Sequence, residues 1–392
     1  MEVLPEYKLK DIGCSLLSGF AFKSSDYSLY GIPLIKIGNI QNRIVTIDKA
    51  GDCVSDDIVN NKISKYFLED GDVLIAMTGQ GSVGRVGRLK LKGATKPLLN
   101  QRVGKFLCDE AGINLDYLYY VLSSDKYQEI LFHSGSGSGQ PNLSPEIVLD
   151  TEIPVPKYEV QKAIAEVLLS LDDKIDLLER QNRTLEQLAE TLFRQWFVEE
   201  PHESWQEKSL DEIAEFLNGL ACQKFRPQQN EGRLPVIKIK EMKTGITKSS
   251  DFATSNVPQK YIVKDGDLLF SWSGSLDVML WFGGNGVLNQ HLFKVTSQDF
   301  PQWLCYFWIK YHLDEFKGIA EDKSTTMGHI QRHHLSQAKV FIPNSKELEK
   351  MDRVIDPVFK KLKSNQIQIR TLTRLRDALL PKLISGEMEV GI

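Results

Sequence analysis

The most suggestive chemical motif in this chain is a glycine-rich segment, Gly-Gln-Gly-Ser-Val-Gly, at residues 79–84. It matches GxGxxG and follows an apolar run, as the turn of a dinucleotide-binding site does. That fingerprint also needs a helix to begin at once, because the helix N-terminus binds the pyrophosphate. Here residues 85–92 alternate in polarity instead, and a similar apolar run at 268–272 is followed by Ser-Gly-Ser without the motif. We therefore predict a glycine-rich β-hairpin.

The sequence shows no other signature of bond chemistry. It has no Walker A lysine, no HExxH, no GxSxG, and no Asn/Asp-Pro-Pro-aromatic tetrapeptide of an amino-methyltransferase. Three histidines, His329, His333 and His334, cluster without a companion carboxylate, and we interpret them as loop or surface residues. The sequence therefore predicts a binding protein and no catalytic residues.

Polar residues suited to reading DNA occur near the glycine-rich segments. Gln, Asn and Arg can contact base edges in pairs of hydrogen bonds, while small hydroxyl residues let the backbone approach phosphates. The candidate DNA-binding residues in the first half are Gln80, Ser82, Arg85, Arg88, Gln101, Arg102, Ser138 and Gln140. Those in the second half are Ser273, Ser275, Gln290, His291, Lys323, Thr325, His329 and Arg332.

Two stretches that lack acidic residues contain these candidates. Residues 73–108 hold seven cations and no Asp or Glu, and residues 323–346 again hold no acid. A solvated protein face usually mixes both signs, so we interpret the stretches as surfaces for a polyanion. The alternative is an ordinary exposed face.

The chain repeats itself once. Five short segments return in the same order, among them Asp-Gly-Asp-Val-Leu at 70–74 as Asp-Gly-Asp-Leu-Leu at 265–269, and Leu-Asn-Gln at 99–101 and again at 288–290. Chance similarity does not explain a conserved order. Each copy begins with short β-like runs separated by turn residues and includes one helical segment, so the sequence predicts two α+β modules.

Each copy ends in a long helical segment with a heptad seam. Asn182 lies at position a and Asn365 at position d, and in an antiparallel pair a faces d′. If the two amides pair, each seam residue of the first helix faces the residue of the second helix whose number, added to its own, gives 547. In this register one layer is mixed, because Leu171 faces Arg376. An unpaired buried amide costs about 1–3 kcal/mol, so this register is favoured. The alternative is that each Asn is solvated.

We expect Asn344 to cap the second helix and Pro357 to kink or restart it. The predicted coil and partner residues are Leu168, Leu171, Ile175, Asn182, Leu185, Leu192, Trp196, Ile355, Val358, Leu362, Asn365, Leu372 and Leu379.

Composition fits a soluble protein of two to three domains. The 392 residues carry 48 Lys and Arg against 52 Asp and Glu, a net charge of −4, with 42% hydrophobic residues. The five cysteines are far apart without metal-site spacing, which predicts buried thiols in a reducing compartment. There is no secretory signal pattern and no apolar run of 18 residues, so we expect a cytoplasmic protein with no membrane partner.

The repeat and the helices resemble the specificity (S) subunit of type I restriction–modification systems along essentially the whole chain. The similarity is most specific at Gln161-x-x-Ile164-Ala165-x-x-Leu168-x-x-Leu171-Asp172-x-x-Ile175, at residues 192–198 (Leu-Phe-Arg-Gln-Trp-Phe-Val) and at residues 379–387 (Leu-Leu-Pro-Lys-Leu-Ile-Ser-Gly-Glu). The Asp-Gly-Asp and Asn-Gln segments also match the family pattern. Met351 and Asp352 depart from it, since they stand where the first copy has Ile164 and Ala165.

The resemblance implies an α+β fold in which two similar globular target-recognition domains are joined by two long antiparallel coiled-coil helices with pseudo-twofold symmetry. The implied domains are 1–156 and 200–343, and the helical regions are 157–199 and 344–392. Each domain would read one half of a gapped target in double-stranded DNA, with the helices as a ruler of roughly 48 Å.

The resemblance also implies the partners. Two methyltransferase subunits would dock on the helices, restriction subunits would join them, and S-adenosylmethionine, ATP and Mg would bind to those partners, leaving no cofactor on this chain. Two alternatives remain open from the residues: an enzyme fused to its own DNA reader, and a coiled-coil scaffold.

Overall fold

The computed structural model describes residues 4–47, 51–91, 93–109, 112–136, 141–322 and 328–391. The chain divides into two compact units. Unit 1 comprises Met1–Asp173 with Arg374–Ile392, and unit 2 comprises Lys174–Thr373.

Unit 1 contains the first α+β module. Its sheets have the strand orders β2-β11-β8-β9-β6-β5, β10-β4-β7-β3 and β1-β12. The strands are β1 (Glu6–Lys8), β2 (Cys14–Ser18), β3 (Tyr27–Ser28), β4 (Ile32–Ile35), β5 (Ile40–Gln41), β6 (Ile44–Val45), β7 (Cys53–Val54), β8 (Val73–Ala76), β9 (Val86–Leu89), β10 (Leu98–Leu99), β11 (Val103–Cys108) and β12 (Glu152–Pro154). The helices are α1 (Leu115–Ser123), α2 (Asp125–Gly135), α3 (Pro145–Leu149) and the long α4 (Tyr158–Arg194), which a π-helical turn at Gln195–Glu199 extends.

Unit 2 repeats this arrangement with fewer strands. Its sheets have the orders β14-β21-β18-β19, β16-β15-β20-β17 and β13-β22. The elements are β13 (Gln206–Ser209), α5 (Leu210–Ile213), β14 (Glu215–Asn218), β15 (Arg233–Ile237), α6 (Ile239–Thr244), β16 (Phe252–Thr254), β17 (Ile262–Val263), β18 (Leu268–Ser271), β19 (Asp277–Leu280), β20 (Gly286–Leu288), β21 (Leu292–Thr296), α7 (Gln302–Asp322), α8 (Arg332–Gln337), β22 (Lys339–Ile342) and the long α9 (Ser345–Ile384).

The predicted duplication is confirmed by the strand pairing. In each module the strand after Asp-Gly-Asp pairs antiparallel with the strand after Asn-Gln, β8 with β11 and β18 with β21. In each module the strand before Asn-Gln pairs in parallel with a partner near the start of the module, β10 with β4 and β20 with β15. The glycine-rich segment at 79–84 is the predicted turn of a hairpin, since β8 and β9 pair antiparallel.

The repeated Asp-Gly-Asp segment forms the same turn twice, and the middle glycine of each turn has φ +88°. The second aspartate of each turn accepts a hydrogen bond from a lysine on the neighbouring strand. Lys105 Nζ lies 2.7 Å from Asp72, and Lys294 Nζ lies 3.4 Å from Asp267. The Asp-Gly-Asp segment, which also matches the family pattern, therefore has a structural role: it connects two central strands of the sheet.

The two long helices, α4 and α9, have 37 and 40 residues, roughly 56 and 60 Å at 1.5 Å per residue. Each helix is divided between the units: α4 belongs to unit 1 as far as Asp173 and to unit 2 beyond it, and α9 belongs to unit 2 as far as Thr373 and to unit 1 beyond it. Asn344 caps α9 as expected, because its Oδ1 accepts from the backbone N–H of Glu347 at 3.1 Å. The expected fresh start at Pro357 does not occur, and α9 is one continuous helix through that residue.

The predicted amide pair of the seam is confirmed within unit 2. Asn365, with no exposed surface, donates from Nδ2 to Asn182 Oδ1 at 2.9 Å. Asn182 Nδ2 donates to Gln366 Oε1 at 3.1 Å, and Asn365 Oδ1 has no partner among the described residues. The seam residues predicted on both helices, from Leu168 to Trp196 and from Ile355 to Leu379, are all buried or half-buried.

Replacing Asn182 with leucine is expected to lower the free energy of unfolding of unit 2 by about 2 kcal/mol, because Asn365 would keep a buried amide without its partner. The double variant Asn182→Leu/Asn365→Leu is expected to regain that loss, since both amides are removed. All six tryptophans lie in unit 2, so urea unfolding followed by tryptophan fluorescence reports on it. A double variant less stable than Asn182→Leu would contradict the pairing.

The mixed seam layer of unit 1 contains an ionic cluster. Arg376, opposite Leu171 in the predicted register, donates from Nη1 to Asp172 Oδ1 at 2.6 Å. Tyr120 Oη donates to the other oxygen of Asp172 at 2.7 Å. The arginine thus connects α9 to α4 and, through Asp172, to the helix α1 of the module.

A similar polar contact anchors the second module to α4. Glu186 accepts from Tyr306 Oη at 2.6 Å and from Lys310 Nζ at 2.8 Å, and Lys310 also donates to Glu190 at 2.9 Å. Burial alone would lower the pKa of Lys310, but the two carboxylates raise it above its usual value. Lys310 therefore stays charged between them.

All five cysteines are free thiols, three of them buried and two half-buried. No described helix has the length and apolar character needed to cross a membrane. Within the same described ranges, no group of three or more His, Cys, Asp or Glu is placed to hold a metal ion.

Candidate nucleic-acid interface

Three segments meet at one end of the central sheet of the first module. Ala76, the last residue of β8, pairs with Val103, the first of β11, so the loops beyond them emerge together. Met77 N donates to Arg102 O at 2.9 Å, and Leu143 N donates to Met77 O at 2.7 Å. We call residues 77–85, 100–102 and 141–143 the first loop cluster.

The two side chains of the Asn-Gln pair in this cluster have different roles. Asn100 is buried, and its Oδ1 accepts from Arg102 N at 3.2 Å. Gln101 is exposed, and its backbone N donates to Phe20 O at 3.0 Å. The asparagine therefore fixes the turn, and the glutamine side chain remains open to a ligand.

The second module forms the same arrangement. Trp272 N donates to His291 O at 3.4 Å, and Ile330 N donates to Trp272 O at 3.0 Å. Asn289 is buried and its Oδ1 accepts from His291 N at 3.3 Å, while Gln290 is half-buried. We call residues 272–275, 289–291 and 328–330 the second loop cluster.

The two clusters share a backbone frame and differ in the side chains on it. The Asn-Gln pair is common to both. The side chains that differ at equivalent positions are Met77 and Trp272, Thr78 and Ser273, Arg102 and His291, and Asn142 and His329. One fold thus presents two chemically different surfaces.

Comparison with known proteins identifies the repeated unit. A family model described as the type I restriction modification DNA specificity domain matches residues 2–187 and, a second time, residues 202–374. The chain belongs to this family. Each of its two DNA specificity domains therefore carries one loop cluster.

Similar proteins support the same assignment. The chain is 27% identical over 342 residues to the type I restriction enzyme MjaIX specificity subunit of Methanocaldococcus jannaschii, covering 81% of this chain and 78% of that protein. It is 24% identical to the EcoKI specificity subunit of Escherichia coli over 95% of this chain and 87% of that protein. The crystal structure of the S subunit of a type I system from M. genitalium has the same fold, with a TM-score of 0.62, 16% identity and coverage of 98% and 96%.

The acid-free stretch of the first specificity domain is partly neutralised by carboxylates from other segments of the chain. Four of its seven cations meet carboxylates from outside the stretch. These pairs are Arg88 with Asp116 at 3.0 Å, Lys90 with Asp173 at 3.8 Å, Lys96 with Glu69 at 2.6 Å and Lys105 with Asp72 at 2.7 Å. Part of the positive charge of the stretch is therefore balanced within the protein, and Arg88 in particular has a structural partner, while the polyanion surface stays a prediction.

Two cations of that stretch do lie in the first loop cluster. Arg85 and Arg102 are exposed, and neither has an ion-pair partner among the residues described. Gln80 and Gln101 are exposed beside them, and Ser82 is half-buried within the hairpin turn. Five of the predicted DNA-binding residues are thus gathered at one end of the sheet, four of them with exposed side chains. Ser138 and Gln140 lie outside the described residues.

The second acid-free stretch also contains structural cations. Lys339 pairs with Glu207 at 2.8 Å, and Arg332 donates to the carbonyl of Phe216 at 3.2 Å while its guanidinium lies over the ring of Phe293. Lys323 and Thr325 lie outside the described residues. The expectation that His334 is a loop or surface residue was wrong, because it is buried in α8 and its Nδ1 caps the N–H of Gln331.

The remaining candidates of the second domain interact with one another. Ser273 Oγ lies 2.9 Å from His291 Nδ1, and Gln290 Nε2 lies 3.3 Å from His291 Nε2. The ring of His329 packs edge-on against Trp272 at 6.2 Å between centroids. These four predicted residues therefore belong to one site.

Two residues were missed from the sequence: Trp272 of the second loop cluster, and Lys243, which contacts the cluster from α6. Trp272 packs on His291 at 5.9 Å and donates from Nε1 to the carbonyl of Gln290 at 3.2 Å. Lys243 reaches from α6 to the predicted Ser275 at 2.6 Å. A tryptophan directly after a repeated strand, where the first copy has methionine, was the available signal for Trp272; nothing in the sequence marks Lys243.

Proposed function

We propose that this chain is the DNA-reading subunit of a type I restriction–modification complex and that each loop cluster reads one half of a gapped target. The single observation that carries the proposal is the duplicated frame with different side chains at equivalent positions, such as the exposed Arg102 and the half-buried His291. Two copies of one frame suit a target of two parts, and different side chains suit two different half-site sequences.

We further propose that the long helices bind two methyltransferase subunits, with restriction subunits joining that assembly. Exposed apolar side chains on the helices support this assignment, among them Leu177, Leu188 and Ile367, each at least 40% exposed. Apolar groups of this kind are common at the centres of protein interfaces. Methyl transfer and DNA cleavage, with S-adenosylmethionine, ATP and Mg, would then belong to the partner subunits.

Exchange of one specificity domain tests this function. We expect replacement of residues 200–343 by the equivalent domain of another family member to change one half-site completely and leave the other half-site unchanged. The first junction lies in the short connection between the π-helical turn that follows α4 and β13. The second lies in the short connection between β22 and α9. Co-expression with a methyltransferase subunit of a type I system, followed by genome-wide methylation mapping, gives the target.

The reciprocal exchange of residues 1–156 is the matched control and should change the other half-site. Methylation at a contiguous sequence, or a change in both half-sites after one exchange, would refute the proposed division of labour.

A further inference from the structure

We infer that Gln290 reads the major-groove edge of an adenine in the half-site of the second specificity domain, and that His291 and Ser273 are positioning residues for it. This inference rests on the proposed function and adds a chemical class of ligand to the site.

The hydrogen bonds around His291 fix how the Gln290 amide is presented. An amide NH₂ can only donate, so His291 Nε2, 3.3 Å from Gln290 Nε2, must be the acceptor. The ring proton then lies on Nδ1 and is donated to Ser273 Oγ at 2.9 Å. One N–H of Gln290 is used in this way, which leaves one N–H and the carbonyl oxygen for a ligand.

The main chain of Gln290 is held equally firmly. Its N–H donates to Leu220 O at 2.8 Å, and its carbonyl accepts from Trp272 Nε1 at 3.2 Å. The indole N–H also lies 3.1 Å from Asn218 Oδ1. A side chain whose amide and main chain are both held by hydrogen bonds loses little conformational entropy when it binds, which favours discrimination between ligands.

One donor beside one acceptor matches a single base. In the major groove adenine presents the N7 acceptor and the N6 donor side by side, whereas guanine presents two acceptors, cytosine a donor and thymine an acceptor with a methyl group. A glutamine that has already committed one N–H therefore pairs fully only with adenine.

The first specificity domain provides an internal comparison. Gln101 occupies the same place in the frame, but Arg102 and Met77 stand where the second domain has His291 and Trp272. No side-chain hydrogen bond holds the Gln101 amide among the residues described here. The fixed amide is thus a property of the second domain.

The test uses the assembled methyltransferase complex and the gapped target mapped for the wild-type chain. Each adenine of the second half-site is replaced in turn by 7-deazaadenine, which lacks N7, or by purine, which lacks the N6 amine. We expect one position at which either analogue weakens wild-type binding about 5- to 150-fold. The Gln290→Ala complex should bind more weakly by a similar factor and be indifferent to the analogues at that position.

Two further variants separate reading from folding. Ser273→Ala should reduce discrimination at that position and leave discrimination at every other position of the target unchanged, whereas a general folding defect would weaken all of them. Gln298→Ala, an exposed glutamine beyond the opposite end of β21, should bind like wild type. If Gln290→Ala keeps full sensitivity to both analogues at every adenine, the inference is overturned. The proposed function would survive that result, because it is refuted by different outcomes: methylation at a contiguous sequence, or a change in both half-sites after one domain exchange.

Discussion

Alanine at Gly219 is expected to lower the free energy of unfolding of unit 2 by about 3 kcal/mol, the upper end of the usual cost of overpacking. A Cβ at this position would lie 2.2 Å from the carbonyl oxygen of Asn289, and the next nearest atoms are also backbone. Since backbone cannot rotate aside as a side chain does, the turn carrying Gln290 would have to move. The same substitution at Gly19, 2.2 Å from Asn100 O, should have the same effect in unit 1.

Each variant serves as a control for the other. Unit 1 contains no tryptophan, so Gly219→Ala should shift the urea transition seen by tryptophan fluorescence, while the loss in Gly19→Ala should appear in hydrogen exchange of unit 1 peptides. Gly38→Ala and Gly318→Ala, where a Cβ would meet no atom within 4 Å, should be neutral or slightly stabilising. Equal effects at Gly19 and Gly38 would show that the frame tolerates a side chain there.

Local geometry explains why the duplication could be predicted. Two of the repeated segments contain positions whose local geometry is demanding: the turn around Gly71 and the buried amide of Asn100. Such positions accept few residue types, so they return in the second copy while the loops between them change. Heptad periodicity is equally local in origin, and it was enough to predict the amide pair between Asn182 and Asn365.

Charge was harder to interpret because ion pairing is not local. Lys105 and Asp72 are 33 positions apart in the chain, yet they lie on neighbouring strands and bond at 2.7 Å. A stretch without acids therefore need not be a positive surface once distant strands and helices have packed against it. The cations that remain exposed, Arg85 and Arg102, are distinguished by their place at a strand end, which only the pairing of β8 with β11 reveals.

The site of the second domain could also be predicted only in part from the sequence. Gln290 and His291 could be chosen from their residue types, but the partners that fix them, Ser273 and Trp272, come from a strand end some 18 residues earlier. Adjacent residues in the sequence suggested two independent contacts, whereas the structure joins them in one hydrogen-bonded group.

Methionine at Arg376 is expected to lower the free energy of unfolding of unit 1 by about 3 kcal/mol, the lower end of the cost of removing one partner of a buried ion pair. Arg376 and Asp172 are only 18% and 17% exposed, so the carboxylate would lose its cation in a site that water hardly reaches. Burial alone would lower the pKa of Arg376, but its bond to Asp172 raises it above the usual value. Burial and the charge of Asp172 also raise the pKa of Tyr120, so the tyrosine keeps its proton and continues to donate.

The double variant Asp172→Asn/Arg376→Met distinguishes charge from packing. An amide at 172 can still accept from Tyr120 and carries no charge, so the double variant should recover at least half of the loss seen in Arg376→Met. Arg374→Met, an exposed arginine two residues away on α9, is the matched control and should change the unfolding free energy by less than about 0.5 kcal/mol. Hydrogen exchange of unit 1 peptides measures all three. If Arg376→Met behaved like Arg374→Met, the mixed layer would be a tolerated interruption of the seam, and the connection from α9 through Asp172 to α1 would contribute nothing to stability.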